Sequence, residues 1–334
     1  MAELIPVQYG KLKYPKNEIP SVGEISVNFK KSKSDIEGSI KEMKEKNVQC
    51  FSLHTQDPYS GNDGKMDSNK RLTPIVVENN LAKIRKSQTD LWTNEEWDSE
   101  FVNFLREVSS CFGDKSSVKV IELHPPKSSK KAKKEEQSEK VDRFIKKLEF
   151  FYTKVSPIFP DAEIVVENSN GSGLLLSSVK ELNEFSDKID ELRKENFKIG
   201  IALDIPQLLY ATKLRCSRAS REDIEDLFKN LEKSKHNVRS IHPWGAKGKG
   251  DFGGHHIGDL NTLFDHGNPS ANPEERENVK RLKANFLKGL SSILSDENKR
   301  YFVPELNSGE DVSLKSIISD LEEKGVKFDY SPPC

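Results

Sequence analysis

At 334 residues the chain exceeds the usual length of one domain, yet it falls within the range of barrels that alternate strand and helix as a single unit. Lys and Arg (53) nearly balance Asp and Glu (54), so any attraction to nucleic acid must come from a local basic patch and not from net charge. The low apolar fraction (34%), the high charged fraction (32%), the lack of any run near the roughly 20 apolar residues of a membrane span, and an N-terminus (MAELIPVQYG) unlike a signal peptide together predict a soluble cytoplasmic protein with no membrane association.

Short β-branched runs, each followed by a polar stretch with helical spacing, recur along the chain. The predicted order begins with a strand at Gly23–Phe29, a helix at Asp35–Lys46 and a strand at Val48–His54. A helix at Asn94–Ser109, a strand at Val118–His124 and a helix at Val141–Val155 follow. Next come Glu163–Asn168 (strand), Val179–Glu195 (helix), Lys198–Asp204 (strand) and Arg221–Lys233, a helix whose start is marked by Ser220 with Asp223 three residues on. The chain closes with strands at Val238–His242, Tyr301–Leu306 and Val326–Tyr330, and helices at Glu275–Ser295 and Leu314–Lys324. Eight strands with intervening helices predict the α/β class and a (β/α)8 TIM barrel, residues 1–334 as a single domain; an open doubly wound sheet is the structural alternative.

Two connections, at about 55–93 and 125–140, are too long for plain turns and follow strand C-termini, the face on which barrel enzymes carry their substrate loops. The second holds KSSKKAKKEE, in which Lys130 and Lys131 are candidates for contact with a phosphate backbone; a solvated loop is the plainer reading. The four cysteines, Cys50, Cys111, Cys216 and Cys334, are widely spaced and read as reduced thiols.

The chemistry lies in the strand ends. His54, His124, Glu167, Asp204, His242 and Glu305 each stand at or next to the end of a predicted strand, where a Val- and Ile-rich segment has little reason to carry such a residue unless it opens onto a polar site. Any one of them could merely cap a helix or satisfy a backbone group. Six together point to a metal centre, and mixed imidazole and carboxylate donors suit zinc or manganese, one to three ions. Trp244, two residues after His242, is either a packing residue or a candidate to stack on a base, and Lys247 and Lys249 in the Gly-rich segment 245–254 are candidates to meet phosphate, with an idle flexible loop as the alternative.

These motifs resemble the endonuclease IV group of the xylose isomerase-like barrels. LHTQDPY around His54, IELHPP at His124, VVENSNGSG at Glu167, IALDIPQ at Asp204, SIHPW at His242 and FVPEL at Glu305 each resemble a strand end of that family. The resemblance implies a metal-dependent phosphodiester hydrolase acting as a monomer on DNA, damaged or abasic, with Glu167 as the catalytic, ion-bridging carboxylate. DFGGHHIGD is similar to the family's Asp-x-His loop, which makes Asp251, His255 and His256 candidate ligands with altered spacing. Gln207 stands where the family has a histidine, which removes one imidazole from the set. A sugar isomerase or epimerase using one divalent metal is the alternative activity, since it needs only Glu167, Asp204, His242 and Glu305. A metal-binding barrel altered in catalysis is the third reading.

Overall fold

The computed structural model describes residues 3–27, 32–55, 95–113, 117–126, 137–171, 175–214, 219–245, 256–265, 272–307 and 309–331. Most of the expected insertion at 55–93, Lys130, Lys131, Lys247, Lys249, Asp251, His255, Cys216 and Cys334 lie outside the described residues.

The strands are β1 (Glu3–Gln8), β2 (Val22–Val27), β3 (Gln49–Thr55), β4 (Val120–Leu123), β5 (Glu163–Glu167), β6 (Ile199–Asp204), β7 (Val238–His242), β8 (Arg300–Phe302) and β9 (Lys327–Phe328). Each of β1 to β7 pairs in parallel with its successor, and β8 pairs with β1, which closes an eight-stranded barrel. The fold is the expected (β/α)8 barrel, with one exchange of membership. The N-terminal segment ELIPVQ supplies β1, whereas the expected last strand shrinks to β9, which pairs with β1 at Glu3 and Leu4. Pro6 hides this strand from pattern reading because proline lacks an N–H. In the barrel it ends the ladder to β8 (Pro6 opposite Phe302), just before Val7 and Gln8 pair with β2.

The helices are α1 (Lys33–Glu45), α2 (Glu95–Ser110), α3 (Gln137–Val155), α4 (Val179–Lys194), α5 (Ile205–Ala211), α6 (Arg221–Leu231), α7 (Thr262–Asp265), α8 (Pro273–Ile293) and α9 (Asp311–Glu322). Ser220 and Asp223 form the expected capping box at α6; Ser32 with Asp35 and Asn272 with Glu275 do the same for α1 and α8. Sequence patterning did not reveal α5 or α7, which are too short to show a helical period. None of the described helices is long and apolar enough to cross a membrane. Cys50 and Cys111 are free.

Two apolar layers position the mouth. Outward-facing strand residues such as Leu53, Ile121, Val166 and Leu203 pack with helix residues in one large core, while Val7, Val22, Val120, Val165, Ala202 and Val303 form a smaller cluster that fills the barrel. Side chains alternate along a strand, so the inward face that carries Val120 carries Glu122 and His124 two and four residues later, and Val165 is followed by Glu167. The apolar plug is thus the floor of a polar mouth.

Candidate metal centre

Six barrel strands deliver the side chains of the mouth. Glu24 comes from β2, His54 from β3, Glu122 from β4 with His124 just beyond it, Glu167 from β5, Asp204 from β6 and His242 from β7. Glu305 follows β8 by three residues at φ +41°, a left-handed backbone that a non-glycine residue adopts at a cost of about 1–3 kcal/mol. From there its carboxylate lies 3.2 Å from His54 Nδ1 and 3.4 Å from His242 Nδ1.

The donors converge in groups. His54 Nε2 lies 3.2 Å from His124 Nε2, and His124 Nδ1 lies 2.8 Å from Glu167 Oε2. His242 places Nε2 3.2 Å from Glu122 Oε2 and Nδ1 3.8 Å from Glu167 Oε1. His54 Nδ1 stands 3.4 Å from Glu24 Oε1. Three sets can each gather around one ion: His54, His124 and Glu167; Glu122, Glu167, His242 and Glu305; and Glu24, His54 and Glu305.

Five buried atoms of these side chains make no hydrogen bond among the described residues: Glu24 Oε1, Glu122 Oε1, Glu167 Oε2, His242 Nδ1 and Glu305 Oε1. Leaving a buried polar atom unpaired costs about 1–3 kcal/mol, and more where it is charged. Among the described residues no lysine or arginine pairs with these carboxylates, and the basic groups beside them are imidazoles. Oxygen and nitrogen donors that crowd together and leave such atoms unpaired fit a divalent cation such as zinc or manganese.

The electrostatics follow from this crowding. Burial by itself would drive His54 and His242 towards neutrality, but Glu122 and Glu305 hold both pKa values well above the ordinary histidine value, with Glu24 assisting at His54. Burial would raise the Glu167 and Glu305 carboxyls; His124 and His242 pull Glu167 below the usual range, and His242 with His54 does so for Glu305. Burial, reinforced by Glu167 and Glu305, pushes Asp204 well up. Tyr9, just past β1, is also raised, first by burial and then by the nearby Glu305.

Asp204 stands apart from the three sets. Its Oδ1 accepts the backbone N–H of Gln207 at 2.8 Å and so caps α5, while Oδ2 accepts Gln207 Nε2 at 3.0 Å and Trp244 Nε1 at 2.9 Å. Gln207 Nε2 also donates to Glu167 Oε1 at 2.8 Å, so one neutral amide bridges two buried acids where the motif resemblance leads one to expect imidazole. Trp244 takes the packing side of its two readings in this structure. It is 2% exposed, its indole N–H is given to Asp204, and its ring stacks on His256 with centroids 4.2 Å apart at 11°, so its polar atom and one ring face are engaged inside the molecule rather than offered to a base. His256 Nδ1 in turn donates to the Glu305 backbone carbonyl at 2.8 Å and lies 3.6 Å from Glu305 Oε2.

Glu24 and Glu122 were missed from sequence. The signal was present for Glu122: period-two alternation places it on the same face as His124, in an otherwise apolar strand where a carboxylate needs a partner.

No protein-family model and no curated protein matches the sequence. Solved structures do. A D-tagatose 3-epimerase-like protein aligns with a TM-score of 0.51 at 15% identity over 97% of both chains. An L-ribulose 3-epimerase aligns with a TM-score of 0.50 at 11% identity, over 91% of this chain and 85% of its own. The shared feature is the closed parallel (β/α)8 barrel. At these identities the likeness is one of fold, and the choice of reaction rests on the mouth.

Proposed function

We propose that the protein is a metal-dependent phosphodiester hydrolase acting on DNA, most concretely at abasic or otherwise damaged sites. One observation carries this reading: the two oxygens of Glu167 face different sets, Oε2 towards His124 and His54, Oε1 towards His242. A carboxylate so placed can serve two ions at once, whereas an isomerase of one metal has no use for the pair His54 and His124. In this reading His54, His124 and Glu167 hold one ion, and Glu167, His242 and Glu305 hold the second. Bound divalent ions supply the positive charge that activates water and offsets the charge of a phosphodiester and its departing oxygen.

The chain's own residues prepare the place. Gln207 holds Glu167 Oε1 through its amide, apolar Val165 and Ala202 form part of the floor, and the left-handed backbone at Glu305 brings its carboxylate to His54 and His242. Lys130 and Lys131 follow β4 in sequence and Lys247 and Lys249 follow β7, and in such barrels it is the strand C-termini that face the substrate.

The test is nicking of a duplex that carries one abasic site, in zinc or manganese, with Glu167→Gln as control. Cleavage by the wild type and none by the variant is expected; wild-type activity no higher than that of the variant would refute the proposal. The second reading, a one-metal sugar isomerase or epimerase, draws on the bridge from Gln207 to Glu167 and Asp204, which fills one corner of the mouth with a neutral group. Deuterium uptake from solvent into a ketose, without nicking, would favour it.

A further inference from the structure

His242 meets carboxylates on both edges of its ring, and the nitrogen that keeps the proton decides what the other nitrogen can bind. We propose that Glu122 is a positioning residue: it accepts the Nε2 proton of His242 and so fixes the tautomer that presents the Nδ1 lone pair to a divalent cation. Glu24 occupies the corresponding place beside His54, with Oε1 3.4 Å from Nδ1 and Nε2 left towards His124. The inference rests on the metal-centre reading above and assigns roles to two acids that the strand-end motifs do not include.

The geometry of His242 is explicit. The ring is fully buried, and Glu122, 1% exposed, brings Oε2 to 3.2 Å from Nε2, with the Ser240 hydroxyl alongside at 3.3 Å. On the opposite edge Nδ1 makes no hydrogen bond, although Glu305 Oε1 is 3.4 Å away and Glu167 Oε1 3.8 Å. A neutral imidazole has one N–H and one lone pair. With Glu122 accepting at Nε2, the lone pair is left on the edge that faces Glu167 and Glu305, the two other residues that would hold that ion.

The depth of Glu122 explains why it acts through histidine. It precedes His124 by two residues on the inward face of β4 and therefore sits nearer the apolar floor. A carboxylate there carries a desolvation cost, which a buried hydrogen-bonded cation or donor offsets. At His54 the corresponding acid is anchored as well. Glu24 Oε2 accepts from the Ser52 hydroxyl at 2.8 Å, and Oε1 faces His54 Nδ1, which it shares with Glu305. His54 Nε2 is then left 3.2 Å from His124 Nε2, a spacing that two imidazoles reach without repulsion when a proton or a cation stands between them.

Removing the carboxylate partner of a metal-bound histidine typically weakens metal binding about 10–100-fold. Two measurements test the assignment: zinc affinity by competition with a chromophoric chelator, and the tautomer of His242 by nitrogen-15 NMR of the zinc-loaded wild type, its signals identified by their loss in His242→Asn. The expected results are a proton on Nε2, a zinc affinity about 10–100-fold weaker in Glu122→Ala, and an intermediate affinity in Glu122→Gln, whose amide oxygen still accepts. The tautomer is read in the wild type, so it decides the matter even if neither Glu122 variant folds. A proton on Nδ1, or zinc affinity unchanged in both folded variants, overturns the assignment alone. A wild type that binds no zinc overturns the metal centre and the assignment with it.

Discussion

Replacing Asp204 with alanine separates an anchor from a ligand. Asp204 is fully buried and accepts three donors: the Gln207 backbone N–H that starts α5, the Gln207 amide, and the indole N–H of Trp244. Loss of an N-cap costs about 1 kcal/mol. Orphaning the Trp244 N–H, in a residue 2% exposed, costs a further ~1–3 kcal/mol. The Gln207 amide keeps Glu167 and adds little. The expected total is about 3 kcal/mol. With an unfolding entropy near 2.1 cal/mol/K per residue, 334 residues give about 0.7 kcal/mol/K, so the thermal midpoint of Asp204→Ala falls by about 4 °C. Calorimetry in excess chelator is the assay, because metal then contributes nothing. A midpoint within about 1 °C of wild type in chelator, with a deficit that appears only on adding zinc, would refute the anchor argument and make Asp204 a ligand.

At the other end of the barrel, Arg300 is buried with its guanidinium on Asp296 (2.7 Å from NH2 to Oδ2) and on the carbonyls of Val238 and Lys235. Asp296→Asn strands that cation and should cost about 3 kcal/mol in urea unfolding. Burial raises the Asp296 carboxyl, but Arg300 overrides it and holds the pKa below the ordinary value. The stability this pair contributes is therefore complete above the unfolded carboxyl pKa of about 3.9 and is lost as pH falls through the lower folded value, a loss that Asp296→Asn should not show. Gly200→Ala would press a Cβ into Arg239 Cγ and bring it to 3.2 Å from Glu163 Oε1, disturbing the ion pair between those residues; a loss of about 1–3 kcal/mol is expected, and an unchanged melting temperature would contradict the packing.

Much of the barrel is readable from local pattern because strand and helix periods are properties of short segments, and seven of the eight barrel strands announce themselves this way. The first does not, since Pro6 contradicts the pattern and only closure of the sheet between β8 and β2 makes it a strand. The strand-end residues His54, His124, Glu167, Asp204, His242 and Glu305 are likewise legible one by one, because each interrupts an apolar run.

What the sequence determined by itself is thus the barrel and the chemical types gathered at its mouth. The tertiary structure decided their roles, because a role depends on distances between strands that are far apart in sequence. It gave Asp204 to α5 and Trp244, folded Trp244 against His256, and set Gln207 between two acids. It also brought Glu24 and Glu122 beneath the imidazoles of His54 and His242, and that proximity exists only once the barrel has closed.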